Sequence, residues 1–373
     1  MARIEKFLRL SLIPLALLCV IVRRLLKGRV RIGVMQSNRI GHLAGNIEVH
    51  LCERDAGIRS GIDIWCAPGR ICNVQLLKMW GRVLHLDRTR FTEIMWKVNR
   101  LFSGWQAIEI PSGNLDRDAL NLYERFPPHL KFTEAEEFCG KLELKRMGIP
   151  KGAKWVCLIV RDSAYLPHLA YHAHRDSDID SYRWAAFALA KRGYYVIRMG
   201  AKIAKPMRFH TDQIIDYANG RRSEFMDIYL AAKCAFAFTN GNGLDAVCSA
   251  FRRPICCVNF VPLEYLSTWN VGSLAIWKHH MKDGKRMMPA EIWASGAGQF
   301  MRVEEYAEAG ITLVDNTPEE LKSVAEEMAD GLHTSDQSTF WRDFPRSISP
   351  YTRTPLHGEI QMRIGAEFLR GYA

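Results

Sequence analysis

The stretch that most restricts the possible folds is residues 234–260, CAFAFTNGNGLDAVCSAFRRPICCVNF. A short apolar run at 234–238 predicts a buried strand, and a second apolar run follows Pro254. Between the two runs lies a polar loop with two glycines, and then the start of a helix near Leu244. Strand, glycine loop, helix and strand in this order form one parallel β-α-β unit, so the α/β class is expected.

The glycine loop also indicates a ligand. Glycine allows a sharp turn and a close approach of the backbone to a bound group. The free N–H groups and partial positive charge of the following helix N-terminus favour a phosphate. The loop is therefore typical of an enzyme that holds a nucleotide or a phosphorylated ligand, although many α/β proteins use Gly and Asn at such a turn without one.

The length and the cysteines of the chain limit the number of domains and the kinds of cysteine site that it can contain. The chain has 373 residues, 48% of them hydrophobic, which suits two domains of ordinary size with substantial cores. Its ten cysteines are scattered and include no C-x-x-C pair. This pattern predicts reduced, mostly buried thiols in a cytosolic protein, and neither a disulfide framework nor a zinc site.

The charge and the N-terminus point to lipid rather than nucleic acid. The net charge is +11, much of it near the N-terminus, and no RNA-binding signature of basic and aromatic residues occurs. Residues 7–22 are apolar but fall short of the ~20 residues of a spanning helix, and Arg9 and Pro14 interrupt them. Basic residues follow, without a cleavage site. Residues 1–28 are thus predicted to form an uncleaved anchor in the inner leaflet; an ordinary packing helix is the alternative.

The rest of the chain alternates strands and helices. In the first half, strands are predicted at 30–37, 62–67 and 83–86, with helices at 71–80 and 91–102 and a loop at 38–43 that leads into a helix running to about residue 56. In the second half, strands are predicted at 154–161, 194–199, 272–277 and 311–314, with helices at 181–192, 224–233, 317–330 and 358–369. Two doubly wound domains with a cleft between them are expected, at 29–150 and 151–340, followed by a tail at 341–373 whose helix packs back on the body. Ligands of such sheets bind at the carboxyl ends of the strands.

The long loop 161–180 follows a predicted strand and carries the richest mixture of cations and carboxylates. The planar fork of Arg161 suits a diphosphate, and Asp162 is suited to orienting an arginine or binding sugar hydroxyls. A solvated loop with local salt bridges is the alternative. His172 and His174 resemble a metal pair, but no third ligand is evident.

Two further side chains follow strands. Arg198 closes a strand just before Gly200, where a second phosphate or ribose contact and a solvent-facing arginine are equally reasonable interpretations. His42 follows the first strand, and its ordinary pKa makes histidine a natural general base near neutral pH. A structural role is the alternative for His42.

Taken together, these motifs resemble a family of bacterial glycosyltransferases of the GT-B type found in surface-polysaccharide gene clusters. The matching stretches are RIGHLAGNIEVHL (39–51), VCLIVRDSAYL (156–166), HRDSDIDSYRWAAFALAKRGYYVIRMG (174–200), DIYLAAKCAFAFTNGNGLDAVCSAFRRPICCVNFVPL (227–263) and RIGAEFL (363–369). The resemblance implies two Rossmann-like domains facing a central cleft, with a nucleotide-sugar donor in the C-terminal domain and the acceptor in the N-terminal one.

The resemblance also implies roles for individual residues. The donor-diphosphate contacts would be Arg161, Arg175 and Arg198, and the phosphate loop would be Asn240, Asn242 and Gly243. His42 lies where several inverting relatives place a base or an acceptor contact, and Asp162 is the second candidate for the base. Neither a metal nor a cofactor is expected beyond the nucleotide-diphosphate sugar itself. Many retaining relatives carry a glutamate shortly after the glycine loop; its absence from residues 244–249 favours inversion.

The leading hypothesis is a glycosyltransferase at the cytoplasmic face of the inner membrane that acts on a lipid-linked glycan. The same architecture hosts nucleotide-sugar epimerases, which have little need for an apolar anchor. A non-catalytic binding subunit of a polysaccharide assembly complex is the third possibility, against which the mixed loop 161–180 argues.

Overall fold

A computed structural model describes residues 11–25, 29–87, 89–110, 116–162, 164, 170–220, 222–331, 337–350 and 353–372. The chain forms two compact units. The first unit comprises Met1–Arg117 and Phe126–Lys131, and the second comprises Asp118–Arg125 and Phe132–Ala373. The main division therefore lies before the predicted boundary at residues 150–151. Each unit has a parallel β-sheet, which confirms the α/β class.

The first unit contains a three-stranded parallel sheet in the order β1-β2-β3. Its elements are α1 (Ile13–Leu25), β1 (Val30–Val34), α2 (Ile40–Asp55), β2 (Ile62–Cys66), α3 (Val74–Trp80), β3 (His85–Leu86) and α4 (Phe91–Asn99). A parallel bridge from Ile32 to Glu109 adds an extended segment beside β1, on the side away from β2. The chain thus runs from β1 to β2 and β3 on one side, and returns to the other side of β1 at Glu109.

Helix α1 has one face against the core of the first unit. Ala16 and Val20, one turn apart, are fully buried in a cluster that includes Ile32 and Met95. Farther along the helix, Arg24 donates from Nη2 to the carbonyl of Ser103 at 2.7 Å. Within the described residues, no helix is both long and apolar enough to cross a membrane. The rest of the predicted anchor, residues 1–10 and 26–28, lies outside the described residues.

The second unit is built on a seven-stranded parallel sheet in the order β13-β9-β8-β7-β4-β5-β6. Its strands are β4 (Trp155–Ile159), β5 (Tyr195–Met199), β6 (Ile214–Ile215), β7 (Phe236–Thr239), β8 (Ile255–Phe260), β9 (Leu274–Trp277), β10 (His279–Lys282), β11 (Lys285–Arg286), β12 (Ile311–Val314) and β13 (Arg363–Ile364). Its α-helices are α5 (Leu122–Arg125), α6 (Glu134–Arg146), α7 (Arg183–Lys191), α8 (Glu224–Lys233), α9 (Asp245–Ala250), α10 (Pro289–Ala294), α11 (Val303–Glu308), α12 (Pro318–Asp330), α13 (Ser338–Asp343) and α14 (Ala366–Arg370). The buried apolar strands β4, β7 and β8 form the centre of this sheet, as expected for strands covered on both faces.

Some elements agree with the sequence closely. Helix α8 has the predicted bounds because Ser223 caps it, accepting a hydrogen bond from the Met226 amide. Helix α12 begins after Thr317, which forms a capping box with Glu320. The predicted helix from 181 instead begins at Arg183, after a 3₁₀ turn at Ile179–Tyr182.

Two predictions for the C-terminal half were wrong. Strand β12 does not extend the parallel sheet; it pairs antiparallel with β10 in a separate three-stranded sheet. The tail is not one helix over 358–369, because Arg363 and Ile364 pair with β9 and the helix covers only Ala366–Arg370. Gly365 permits this close approach, since an added Cβ would lie 2.9 Å from Ile276 Cγ2.

Candidate functional site

The topology of the second unit marks one crevice. From β4 the chain proceeds to β5 and β6 on one side, and then returns to place β7 on the other side of β4. The strand order therefore reverses between β4 and β7. Ligands of open parallel sheets bind outside the carboxyl ends of the strands at such a reversal. Here those ends lead into residues 160–178 and 240–245, the two loops that the sequence singled out.

Asn240 holds these two loops together. Its side chain is 1% exposed, and its Oδ1 accepts a hydrogen bond from the Arg161 amide at 2.8 Å. Its Nδ2 donates to the carbonyl of Arg175 at 3.0 Å. Both polar ends of the amide are thus used within the protein, so Asn240 fixes the crevice walls rather than presenting a donor to a ligand.

The glycine loop is largely satisfied by its own side chains. The Asp245 carboxylate accepts from the Asn242 amide at 2.8 Å and from the Thr239 hydroxyl at 3.3 Å. The Gly241 amide donates to Thr239 Oγ1 at 3.1 Å, and the Leu244 amide donates to Asn242 Oδ1 at 3.0 Å. Asp245 stands at the N-terminus of α9 and fills with its own negative charge the position expected for a phosphate. This carboxylate weakens the phosphate-loop interpretation of Asn240, Asn242 and Gly243.

Two arginines supply positive charge to the same crevice. Arg161 donates from Nε to Asp176 Oδ1 at 3.0 Å, while its terminal amino groups make no hydrogen bond to the described residues. Arg175 donates from Nη2 to the carbonyl of Gly241 at 2.6 Å, and within the described residues its Nε is buried without an acceptor. Burial, and then the charge of nearby Arg161, lower the pKa of Arg175 to about 10. Burial is the larger cause, and the contribution of Arg161 places a second cation near Arg175.

Arg198 and Asp162 hold the neighbouring loop. Arg198 is 1% exposed, and its Nη1 donates to the carbonyl of Lys205 at 2.8 Å. Its guanidinium is therefore not on the crevice surface, which removes the solvent-facing alternative and leaves the predicted phosphate contact without support. Asp162 accepts from the Ala164 amide at 3.0 Å and from the Ala204 amide at 2.8 Å. Both oxygens thus hold backbone, an arrangement that suits a positioning residue better than a base.

Lys278 is a further charged side chain that the sequence analysis missed. It follows β9, its side chain is 5% exposed, and its Nζ lies 2.7 Å from Asp315 Oδ1. It also donates to the carbonyl of Asp176 at 2.8 Å, on the residue that pairs with Arg161. Its position directly after a buried strand is the signal by which the sequence would have revealed it.

The two histidines of the loop each contact a backbone carbonyl through Nδ1. His172 Nδ1 lies 3.0 Å from the carbonyl of Met301, and His174 Nδ1 lies 3.2 Å from the carbonyl of Tyr171. Burial, followed by the charges of Arg175 and His172, lowers the pKa of His174 to about 3. His174 is therefore a neutral, buried side chain of the loop.

His42 occupies the corresponding position in the first unit. It lies in the first turn of α2, beyond the carboxyl end of β1, and β1 lies where that unit's strand order reverses. Its Nδ1 is 3.8 Å from Asp116 Oδ2, and the two side chains are 14% and 30% exposed. Gly45 makes room for Asp116, since an added Cβ would lie 2.7 Å from the Asp116 Cβ. At this distance the carboxylate makes no hydrogen bond to the ring among the described residues, and a partly exposed imidazole near a carboxylate is a candidate general base.

Comparisons with known proteins give weak similarities. No protein-family model matches the chain, and no curated protein matches it. The solved structures that it resembles include a glycosyl transferase family 9 protein from Veillonella parvula DSM 2008, at 11% identity and a TM-score of 0.47, covering 80% of this chain and 97% of that one. The E. coli ADP-heptose LPS heptosyltransferase II matches at 13% identity and a TM-score of 0.37, covering 75% and 97%. The E. coli heptosyltransferase WaaC with ADP matches at 10% identity and a TM-score of 0.33, covering 75% and 99%. All three TM-scores are below 0.5, so these similarities alone assign no activity.

Proposed function

We propose that the protein is a glycosyltransferase that takes a sugar from a nucleotide-diphosphate donor. The observation that carries the proposal is the pair Arg161 and Arg175 at the strand-order reversal of the second unit. Arg175 is half-buried, donates to the carbonyl of Gly241, and lies near enough to Arg161 for that charge to contribute to its lowered pKa. A diphosphate binding there would neutralise both cations and accept their N–H groups. The resemblance of the sequence to GT-B glycosyltransferases supports the same assignment.

In the proposed reaction, an acceptor hydroxyl attacks the anomeric carbon of the donor sugar. The new bond joins the acceptor oxygen to that carbon as the bond from the carbon to the diphosphate breaks. Arg161 and Arg175 stabilise the charge that develops on the leaving diphosphate. His42, with the Asp116 carboxylate 3.8 Å from its Nδ1, is the proposed base that takes the proton of the hydroxyl. Direct displacement inverts the anomeric centre, and in this scheme the arginines do the work of a metal ion.

A panel of nucleotides tests the donor site. Thermal unfolding of the full chain is measured with UDP, GDP, ADP, dTDP and CMP and with their sugar conjugates. A ligand at 100 times its Kd adds about 2.7 kcal/mol and should raise Tm by about 5 °C or more. Arg161→Ala should abolish the shift. Arg192→Ala is the matched control, because Arg192 is a surface arginine of the same unit, paired with Asp330 and Glu326.

The outcomes separate the three hypotheses. A shift with one donor that Arg161→Ala removes and Arg192→Ala retains supports the donor site and identifies the nucleotide. A folded protein that shifts with no nucleotide would favour the non-catalytic binding subunit. Conversion of the donor sugar to its epimer without any acceptor would favour the epimerase.

The base is tested with the donor identified in this way. His42→Gln should lower kcat by about 10²- to 10⁴-fold and leave the donor Kd unchanged, because the imidazole acts on the acceptor. Asp116→Asn should also lower kcat and change its pH profile, since the imidazolium formed in the reaction would lose the negative charge 3.8 Å away. An unchanged kcat in His42→Gln would exclude this base.

We further propose that α1 binds the cytoplasmic leaflet of the inner membrane, where a lipid-linked acceptor would be found. Its outward face carries an apolar stripe at positions i, i+3, i+7 and i+10, formed by Leu15, Leu18, Val22 and Leu25, which are 51%, 58%, 46% and 76% exposed. An exposed apolar stripe beside basic residues is typical of an interfacial helix on anionic lipid.

Sedimentation with phosphatidylglycerol vesicles tests the helix. The double variant Leu18→Glu with Val22→Glu should remain in the supernatant, because it places two charges on the stripe. Leu101→Glu is the matched control, since Leu101 is an isolated leucine of the same unit and is 83% exposed. Equal sedimentation of the double variant and the wild type would exclude α1 as the membrane contact.

A further inference from the structure

The first unit contains a second group of side chains that the proposed transfer does not use. Glu48 and Cys52 lie one turn apart on α2, and His129 lies on the segment Phe126–Lys131 of the same unit. A carboxylate oxygen, a thiol sulfur and an imidazole nitrogen from these residues lie within 4.8 Å of one another. In the part of the chain that the structure describes, this is the one group of three such atoms that meets this distance.

The distances approach those of a tetrahedral metal site. His129 Nδ1 is 3.2 Å from Glu48 Oε1, and Cys52 Sγ is 4.0 Å from the same oxygen. With bond lengths of ~2.0 Å to nitrogen and oxygen and ~2.3 Å to sulfur, tetrahedral zinc holds its ligand atoms about 3.3 to 3.5 Å apart. The nitrogen and oxygen already have this spacing, and the sulfur needs to approach by about half an ångström.

A fourth residue orients the histidine. His129 Nε2 lies 3.0 Å from Asp55 Oδ2, at the C-terminal end of α2. In the metal-bound form, a hydrogen bond from Nε2–H to this carboxylate would leave the lone pair of Nδ1 free to bind the metal. Metal-binding histidines usually have such a carboxylate on their second nitrogen. Glu48, Cys52 and Asp55 follow one another at i, i+4 and i+7, so one face of α2 supplies two ligands and the orienting group.

Burial and charge favour a divalent cation. The Glu48 side chain is 0% exposed, and Cys52 is also fully buried. A buried carboxylate is costly unless it is neutralised. One divalent cation neutralises a carboxylate and a thiolate together, with the imidazole as a neutral third ligand. A set of sulfur, nitrogen and one oxygen suits zinc, whereas magnesium and calcium prefer oxygen ligands throughout.

We propose that Glu48, Cys52 and His129 form a zinc site that fastens the segment Phe126–Lys131 to α2. This segment is the part of the first unit that follows residues 118–125 of the second in the chain. The site would leave a fourth position on the metal for water or a further ligand. Its role is structural, and it is independent of the proposed sugar transfer.

Cobalt substitution tests the proposal on the full chain. The protein is stripped with EDTA under a phosphine reductant and titrated with Co²⁺ and, separately, with Zn²⁺. We expect stoichiometric binding, intense visible bands of tetrahedral Co²⁺ and a near-ultraviolet band from thiolate to cobalt. Cys52→Ser should remove the thiolate band, and His129→Gln should weaken metal binding at least tenfold. Cys66→Ser is the matched control, because Cys66 is a buried cysteine of β2 outside the group.

Two results of the metal titrations would contradict the zinc site. A folded wild-type chain, verified by circular dichroism, that binds no stoichiometric Co²⁺ or Zn²⁺ would show that His129 merely links the carboxylates of Glu48 and Asp55. A thiolate band that survives Cys52→Ser but disappears in Cys66→Ser would place the metal elsewhere. If Cys52→Ser does not fold, His129→Gln decides, since it retains the thiol. None of these readouts involves a nucleotide, so failure of the donor-site proposal leaves them unaffected.

Discussion

Acidification should weaken the first unit through one buried carboxylate, Asp63. Its Oδ1 accepts from Arg31 Nε at 2.9 Å, and its Oδ2 accepts from Arg54 Nη1 at 2.6 Å and His50 Nε2 at 2.8 Å. Burial alone would raise the pKa of Asp63, but the hydrogen bonds from His50 and Arg54 and the charge of Arg31 outweigh it. The pKa falls from 3.8 to about 2.

The contribution of Asp63 to the free energy of unfolding follows from the difference between its pKa in the unfolded and folded states. A carboxyl whose folded-state pKa lies below its unfolded-state value stabilises the fold above the unfolded-state pKa. That stabilisation is lost as pH falls toward the folded-state pKa. Each pH unit corresponds to 1.36 kcal/mol, so Asp63 contributes about 2 kcal/mol at pH 7, and about half of it is lost by pH 3.

Urea unfolding of the wild type and of Asp63→Asn at pH 7, 5, 4 and 3 measures this contribution. Pulse labelling by hydrogen exchange, read on peptides of β2, reports the first unit separately. The variant should be less stable at pH 7, and its deficit should shrink by about 1 kcal/mol by pH 3. Asp343→Asn is the control, because that carboxylate is exposed. A deficit that stays constant from pH 7 to pH 3 would refute the assigned pKa.

Two substitutions in the second unit test the crevice walls. Gly241→Ala should lower the free energy of unfolding by more than the 1–2 kcal/mol expected for a left-handed alanine, because Gly241 has φ +78° and an added Cβ would lie 2.8 Å from Phe260. Gly148→Ala, at the same φ with open space around it, gives the backbone cost alone in the same urea titration, and equal losses would contradict the steric argument. Lys278→Met should cost about 2 kcal/mol, since it leaves the carbonyl of Asp176 without its donor, and should increase proteolysis of loop 161–178. Lys322→Met is the control, because Lys322 is exposed and its Nζ lies 4.0 Å from Glu326 Oε1. Its free energy of unfolding should stay within about 0.5 kcal/mol of the wild-type value. A similar loss of stability in both variants would refute a special role for Lys278.

The sequence was informative where the signal was local. The apolar run and glycine loop around β7 gave the β-α-β unit, and the capping residues Ser223 and Thr317 gave the starts of α8 and α12. These features depend on neighbours within four residues. The loops after β4 and β7 were predicted from their polar residues and glycines, whereas the order of the strands in the sheet was not predicted. The α/β class and the loops that line the crevice could therefore be predicted from local sequence patterns.

Features that depend on distant partners were not accessible. The direction of β12 is decided by its pairing with β10, about thirty residues earlier, and apolar residues in a strand do not specify whether a neighbour is antiparallel. Arg198 ends a strand, where an exposed cation is the usual expectation, yet the carbonyl of Lys205 lets it be buried. The carboxylate beside His42 comes from residue 116, separated from it by most of the first unit. These partners could not be predicted because they are not adjacent in the sequence, although their chemistry is ordinary.

The glycine loop shows that a phosphate site is predicted better by whether the backbone N–H groups are free than by the glycine pattern alone. Its form predicts a phosphate cradle, but the N–H groups of Gly241, Asn242 and Leu244 each have an acceptor inside the loop. A ligand diphosphate would have to displace the Asp245 carboxylate, whose negative charge already serves the helix terminus. The anion must then be met by side chains, and the arginines across the crevice have unused or incompletely compensated N–H groups. The loop therefore builds the wall that holds Arg175, through the Gly241 carbonyl, and Arg161 and Arg175 are the side chains that we propose to bind the diphosphate.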